Sequence, residues 1–520
     1  MSVHLWLMII LATLGAGRAG AQLTTAVPPK DPSLKTAPPV ARPLPRLTKA
    51  QYYADFDTLY QVLSRVNPHD FVRRAVNGYS MLDSIRALRS GIDTIRSAAS
   101  FYGLVSRALT YCQDGHTSTL SSRWYRFVDS TDRQRWQSTA QDTSFISAYS
   151  DLNRRQRDAY RLQLPIRYQQ GDYRVWADFE YRHQRIPFGA TLVACNGQPI
   201  HTYVGKLLSY APEMHWDFGH KRFHTEAFTR STNLPASGSM LLTFTYQGRT
   251  KTHRFSLADT VITSIPAKAT GISRRKIVTY LADRQLLYLR IPVMADGDYY
   301  LRQIDSLARQ QPIRKIILDI RDNPGGSDLE WQNIIRHLID KPIVRNIITG
   351  ANPANPRVDR LDSRGPKQYL TRPFIPDSLY QVVSTEPDTL VPDTNSVRFT
   401  GKIYVLQNEN CFSSAGSLIS TCQFSDQLVN VGTSTGWFAG FGSIPWVMIL
   451  PYSKILYWTE PLLDFTNVQR AEDLFHNQVK LPVDLTLEAF RTRQTYPGDI
   501  YSIAFLVNYD SLFQTILNQP

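Results

Sequence analysis

Apolar positions along the chain change period twice, and each change marks a different kind of structure. From Thr48 to Cys112 they recur at helical spacing, most clearly over Thr94 to Cys112, where Ala98, Phe101, Tyr102, Val105, Ala108, Leu109 and Cys112 form one stripe. From about Leu164 to Leu257 the runs shorten to strand length, with Asn196-Gly197 and Gln247-Gly248 as turn signals between them. Beyond Ile272 strands and helices alternate. Gln285–Ile291 and Lys315–Arg321 predict strands, Tyr299–Gln310 and Asp328–Asp340 helices, the latter with Trp331, Ile334, Ile335 and Leu338 on one face. Lys402–Gln407 then predicts a buried strand, and Ala415, Leu418, Ile419 and Cys422 the inner face of a helix beginning at about Ser413 or Ser414. The expected fold class is mixed α/β, with a helical segment over 47–135, a β-rich module over 140–260 and an α/β core over 272–520.

Two strand-to-helix turns of the core carry chemistry. At the second, a serine hydroxyl meets a first helical turn, whose N–H groups lack intrahelical acceptors and carry about half a positive charge. Ser413 can therefore be a nucleophile with the following N–H as oxyanion donor, or a helix cap, since serine is favoured there. At the first turn, Asp322-Asn-Pro-Gly-Gly326, two adjacent glycines let backbone N–H groups approach a ligand, and Ser327 with Glu330 has capping-box spacing. His116 follows the N-terminal helix in Gln113-Asp-Gly-His-Thr117, where Gly115 can take a left-handed conformation and present the ring on a turn.

The ends and the composition narrow the setting. Leu5 to Leu14 is apolar except for Thr13 and is followed by Ala19-Gly-Ala21, which predicts a secretory signal peptide over 1–21 and an exported protein, periplasmic or extracellular. Residues 22–46 are proline-rich, as expected of an extended linker. No later stretch is long enough to span a bilayer. The net charge of +14 is spread along the chain in short clusters, without a nucleic-acid motif. Four cysteines are too few for a disulfide scaffold, and Cys411 and Cys422 are too far apart on their helix to pair. No metal cluster, Walker loop or dinucleotide fingerprint is present, so neither metal nor cofactor is expected.

Three segments stand in a telling order: Asp114-Gly-His-Thr117, Leu318-Asp-Ile-Arg-Asp-Asn-Pro-Gly-Gly326, and Cys411-Phe-Ser-Ser-Ala-Gly416 with Gly432-Thr-Ser-Thr-Gly436 behind it. Together they resemble the carboxyl-terminal processing peptidases and tricorn-core serine peptidases, over about Thr48 to Gln514. The resemblance implies a catalytic core related to the crotonase and Clp protease folds, with Ser413 as nucleophile, His116 as base of the tricorn-like Ser-His branch, and oxyanion N–H groups from Gly325 or Gly326 and from Ser414. The run Phe188–Ile200 likewise resembles a PDZ-like module, which binds extended peptide at a sheet edge. Two departures matter. Where the Ser-Lys branch keeps a lysine, this chain has Trp437, Phe438 and Ala439, with Lys454 further on, and Gly115 replaces the serine that precedes the branch's histidine. For the acid that orients His116, Glu472 is preferred to Glu460.

The reading is thus a secreted serine endopeptidase acting on peptide or unfolded protein. Its first rival is a catalytically degenerate member of the fold that binds peptides or other ligands, suggested by the absent lysine and by Gly115. Its second is a crotonase-type acyl-CoA enzyme, disfavoured by the export signal and by a serine where that chemistry needs no nucleophile.

Overall fold

The structure is a computed structural model and describes residues 44–139, 142, 144–149, 151, 164–211, 214–225, 238–256, 259, 262–263, 275–358, 367–384, 387–435, 445–474 and 478–519. The expected signal peptide, most of the linker, and Gly436, Trp437, Phe438 and Ala439 lie outside these residues.

Helix α1 (Lys49–Val66) opens on a capping box between Thr48 and Gln51, and α2 (Ala98–Thr110) on the side chain of Ser97, which accepts from Ser100 N. Their apolar stripes, Phe56, Leu59 and Leu63 with Phe101, Val105 and Ala108, bury one another and also Met448, Leu450, Ile455 and Tyr457 from late in the chain. The helical segment therefore packs on a hairpin of the core region, and its next strand, β1 (Ser118–Thr119), pairs with that hairpin.

Strands β2 (Ile166–Gln169), β3 (Asp172–Val175), β4 (Thr191–Cys195), β5 (Ser239–Tyr246) and β6 (Arg249–Ser256) form an antiparallel sheet in the order β6-β5-β4-β3-β2. Alternate residues of β5, Met240, Leu242 and Phe244, enter the core of this sheet, and their neighbours face outward, the pattern of a sheet with one covered side.

The core sheet runs β7 (Ile277–Leu281), β8 (Leu286–Arg290), β9 (Lys315–Asp319), β13 (Ile403–Gln407), β14 (Leu428–Gly432) and β18 (Leu481–Pro482), with only its first pair antiparallel. Between β8 and β9 lies α3 (Gly297–Ala308), and after β9 come α4 (Asp328–Leu338), β10 (Ile343–Asn346), β11 (Thr349–Ala351) and β12 (Pro387–Leu390). Helix α5 (Ser414–Thr421) follows β13. After β14 come the hairpin strands β15 (Trp446–Ile449) and β16 (Leu456–Thr459), then β17 (Leu462–Asp464). Every residue of β8 and of β13 is buried, because both faces are covered. Ile316, Leu318, Ile403 and Val405 pack against α3, α4 and α5 on one face, while Ile317, Tyr404 and Leu406 pack on the other against α6 (Ile503–Tyr509) and α7 (Ser511–Leu517).

At the carboxyl end of β9 the second face is ionic. Asp319, fully buried, pairs with Arg321 at 2.6 Å and lies 3.8 Å from Arg290, and Arg321 reaches Asp510 at the start of α7, also at 2.6 Å. Burial opposes the charged form of Asp319, but the two guanidinium groups outweigh it and hold the carboxyl far below the usual range. The capping box expected at α4 does not form. The Ser327 side chain makes no capping bond, and Glu330 instead accepts the N–H of Gly297, tying the starts of α3 and α4 together. All four cysteines are buried and free.

Replacing Asp510 with Ala leaves Arg321 and Arg493 without that carboxylate inside the fold and removes the α7 cap. Breaking a buried pair in this way costs about 3–5 kcal/mol, and urea unfolding should show a loss of that size. A change below about 1 kcal/mol would mean that the cluster adds nothing beyond a surface pair.

Candidate active site

The two strand-to-helix turns rise from neighbouring parallel strands in register, Asp319 beside Leu406, and hydrogen bonds join them. Asp322 N donates to Asn408 Oδ1 at 2.9 Å, and Asn408 Nδ2 returns a bond to Asp322 Oδ1 at 2.7 Å. Phe412 N donates to the Asn323 carbonyl at 3.1 Å. The glycine turn is thereby pressed against the serine turn. A Cβ on Gly325, where φ is +102°, would stand 2.7 Å from Ser413 Cβ and 3.0 Å from Ser414 N, so only glycine fits.

Ser413 occupies the N-cap position of α5, yet its hydroxyl makes no capping bond. Its backbone sits at φ 55°, ψ −126°, a conformation that side-chain-bearing residues avoid and that costs roughly 1–3 kcal/mol. The cap alternative is therefore set aside, since a serine used as a cap adopts extended backbone and bonds its own helix. Of the expected oxyanion donors, Gly325 is corrected: its N–H already donates to Asn323 Oδ1 at 2.8 Å. The N–H groups of Gly326 and Ser414 have no acceptor among the described residues.

His116 reaches this place from the helical segment. Gly115 takes φ +72°, and a Cβ there would meet the Phe412 ring at 2.6 Å, which is the physical reason for glycine ahead of this histidine. Asp114 folds the turn, its Oδ1 accepting His116 N at 2.9 Å and its Oδ2 accepting Thr117 Oγ1 at 2.7 Å and Asn67 Nδ2 at 2.8 Å. Asn67, the C-cap of α1, also reaches Thr459 Oγ1 at 3.2 Å, and Ser118 pairs with Trp458. The histidine loop is thus fastened to the end of β16, one residue before Glu460.

That geometry corrects the choice of acid. Glu460, fully buried, places Oε2 2.8 Å from His116 Nδ1, whereas Glu472 is exposed in a single 3-10 turn, Ala471–Leu474. Burial raises the Glu460 carboxyl above its usual range, and the hydrogen bond from His116 works against that rise. A carboxylate on Nδ1 fixes the ring and leaves Nε2 as the basic nitrogen. Lys454 is engaged elsewhere, donating to the Trp136 carbonyl at 2.7 Å.

The imidazole and the serine hydroxyl are not hydrogen-bonded to each other. The Phe412 ring, one residue before Ser413, stands against the imidazole with centroids 4.7 Å apart, and Trp458 closes the other side at 6.2 Å. Among the described residues no group of three or more histidine, cysteine or acidic side chains is placed to hold a metal.

A strained, uncapped serine on a strand-to-helix turn, N–H groups beside it that have no acceptor among the described residues, and a buried histidine–glutamate pair whose imidazole stands against the ring of the preceding residue are the parts of a serine hydrolase on a mixed α/β fold. Residues 285–470 match the profile of peptidase family S41, so the core of this chain is similar to that family of serine-type peptidases. The solved structure of mature CPAF superposes with a TM-score of 0.54 at 12% identity, covering 90% of this chain and 98% of that one. Mature CPAF complexed with lactacystin gives 0.53 at 13% identity, covering 90% and 99%. At such identities these likenesses describe the fold. No curated protein matches the sequence.

Glutamine at position 460 would keep an acceptor for His116 and remove a buried charge. A carboxyl whose pKa is raised by folding contributes stability at low pH and loses it as pH rises through the folded value. The Glu460→Gln protein should therefore melt at the same temperature as the parent, or higher, at pH 8, with any gain vanishing under acid. A melting point several degrees lower at pH 8 would mean that the charge itself holds the loop.

Proposed function

We propose that this chain is an exported serine endopeptidase of the Ser-His branch, with Ser413 as nucleophile, His116 as general base and Glu460 orienting the imidazole. Ser413 Oγ attacks the peptide carbonyl while His116 Nε2 takes its proton, and the developing oxyanion is held by the N–H groups of Gly326 and Ser414. The imidazolium, stabilised by Glu460, returns the proton to the leaving amine, and water then opens the acyl-enzyme by the same steps in reverse. The observation that carries this reading is the buried His116–Glu460 pair set beside an uncapped serine in a strained conformation.

The imidazole stands against the Phe412 ring and is not hydrogen-bonded to Ser413 Oγ, so substrate binding is assigned the final alignment, as is common where catalytic bonds tighten only in the complex. Export is read from the apolar run Leu5–Leu14 and the Ala-Gly-Ala site, and no helix among the described residues is long and apolar enough to cross a membrane. The antiparallel sheet β2–β6 is assigned the PDZ-like role of holding extended peptide.

Fluorophosphonate labelling tests the chemistry. The mature protein should be labelled, Ser413→Ala should abolish the label, and His116→Ala should slow it by about 10² or more, the usual contribution of a general base. A folded parent that takes no label, or a label that survives Ser413→Ala, would leave a peptide-binding protein as the better account.

A further inference from the structure

Below the nucleophile the polar face of α5 borders a pocket that the reaction above does not use. Ser417, Ser420 and Thr421 follow Ser413 at helical spacing, on the side away from the buried Ala415, Leu418 and Ile419. Ser417 lies four residues, just over one turn, from Ser413, about 6 Å along the axis. Opposite it, β17 pairs with β11 in the register Thr349 to Asp464, so that Asp464, four residues beyond Glu460 and hence within roughly 14 Å of it, faces the same space. Asp328, two residues after Gly326, closes the near wall. The pocket holds about 200 Å³, too small for a whole metabolite-sized ligand and suited to a single long side chain.

Its charges are unbalanced. Asp328, Asp388 and Asp464 line it against one cation, Arg345. Arg345 is only 4% exposed, donates to Thr421 Oγ1 at 3.0 Å and pairs with Asp388, and its Nε has no acceptor among the described residues. The other two carboxylates have neutral donors: Asp328 takes Trp331 Nε1 at 3.0 Å and Ser417 Oγ at 3.3 Å, and Asp464 takes Thr466 N at 2.7 Å. Burial, with the charge of Asp328 adding to it, lifts the Asp464 carboxyl to about 6 even though the Thr466 bonds and Arg345 oppose the rise.

We infer that this pocket is the subsite for a lysine or arginine side chain flanking the scissile bond, held between Asp464 and Asp328. The inference rests on the peptidase reading. A guest ammonium or guanidinium neutralises the two carboxylates. An acidic side chain would meet like charge. An apolar one would bury both carboxylates without a counter-ion, which is costly.

The full chain should be offered a mixed peptide library with cut sites read by mass spectrometry, then matched peptides carrying Lys, Ala or Glu at the position the library singles out. Lysine should exceed alanine in kcat/KM by about tenfold or more, with glutamate lowest. Asp464→Asn should remove most of the lysine advantage and leave the alanine peptide within about twofold, since the asparagine oxygen still accepts Thr466 N. Ser420→Lys, which tethers an ammonium in the pocket, should do the same and guards against misfolding of the first variant. Cleavage with no cationic preference, or a preference that survives both substitutions, overturns the subsite while fluorophosphonate labelling still upholds the peptidase. Neither labelling nor cleavage removes both readings.

Discussion

The parallel pairing of β9 with β13 is the constraint on which the site depends. Because Ile316 to Asp319 run in register with Ile403 to Leu406, both strands end at the same height and the turns that leave them must share one ledge. Two turns confined in this way crowd each other, and the crowding is what selects Gly325 and holds Ser413 at a positive φ. Strained backbone persists only where its surroundings over-determine it. Here the surroundings are the reciprocal Asp322–Asn408 bonds above and the Asp319–Arg321–Asp510 cluster beneath.

The ionic cluster sits where an apolar alternative was available, since the rest of that sheet face packs on Leu506, Leu512, Phe513 and Ile516. A buried ion pair is weak as a source of stability but strong as a fixer of geometry, because any slip leaves a charge without its partner. With Arg321 bonded both within its own turn and to α7, the turn cannot rotate without breaking a fully desolvated contact. On the proposed reading, rigidity at this point serves the N–H groups beyond it, whose worth to a reaction lies in being aimed before the charge develops.

How far the sequence reveals this follows from the range of each interaction. Ser413 and His116 stand where local signals meet, a strand period giving way to a helix period in one case and an Asp-Gly turn after a helix in the other. The acid is a different matter. Glu460 and Glu472 look alike in sequence, and the choice rests on the pairing of Ser118 with Trp458, a contact across more than three hundred residues for which no local pattern stands. Likewise the consecutive glycines at 325 and 326 are equivalent by composition, and only the Asn323 side chain, which occupies the N–H of the first, tells them apart. The failed capping box at Ser327 has the same origin: Glu330 found a distant N–H at Gly297 in place of the near one.

The site is assembled from two bodies of unequal standing. Ser413 and the glycine turn belong to one sheet, so their arrangement forms whenever the core folds. The imidazole arrives on a loop held by Asn67, Asp114, Thr117 and Thr459, a chain of neutral or singly charged hydrogen bonds at the junction with the helical segment. Each such bond contributes about 1 kcal/mol net, more where a carboxylate accepts, so opening this junction is cheaper than opening the core. Glu460 stands between the strand that pairs with the histidine loop and the strand β17 that pairs with β11, so the acid that holds the imidazole is itself held from both sides. On the proposed reading, an arrangement of this kind keeps the base oriented through Glu460 and makes approach of the imidazole to Ser413, rather than its orientation, the step that substrate binding has to supply.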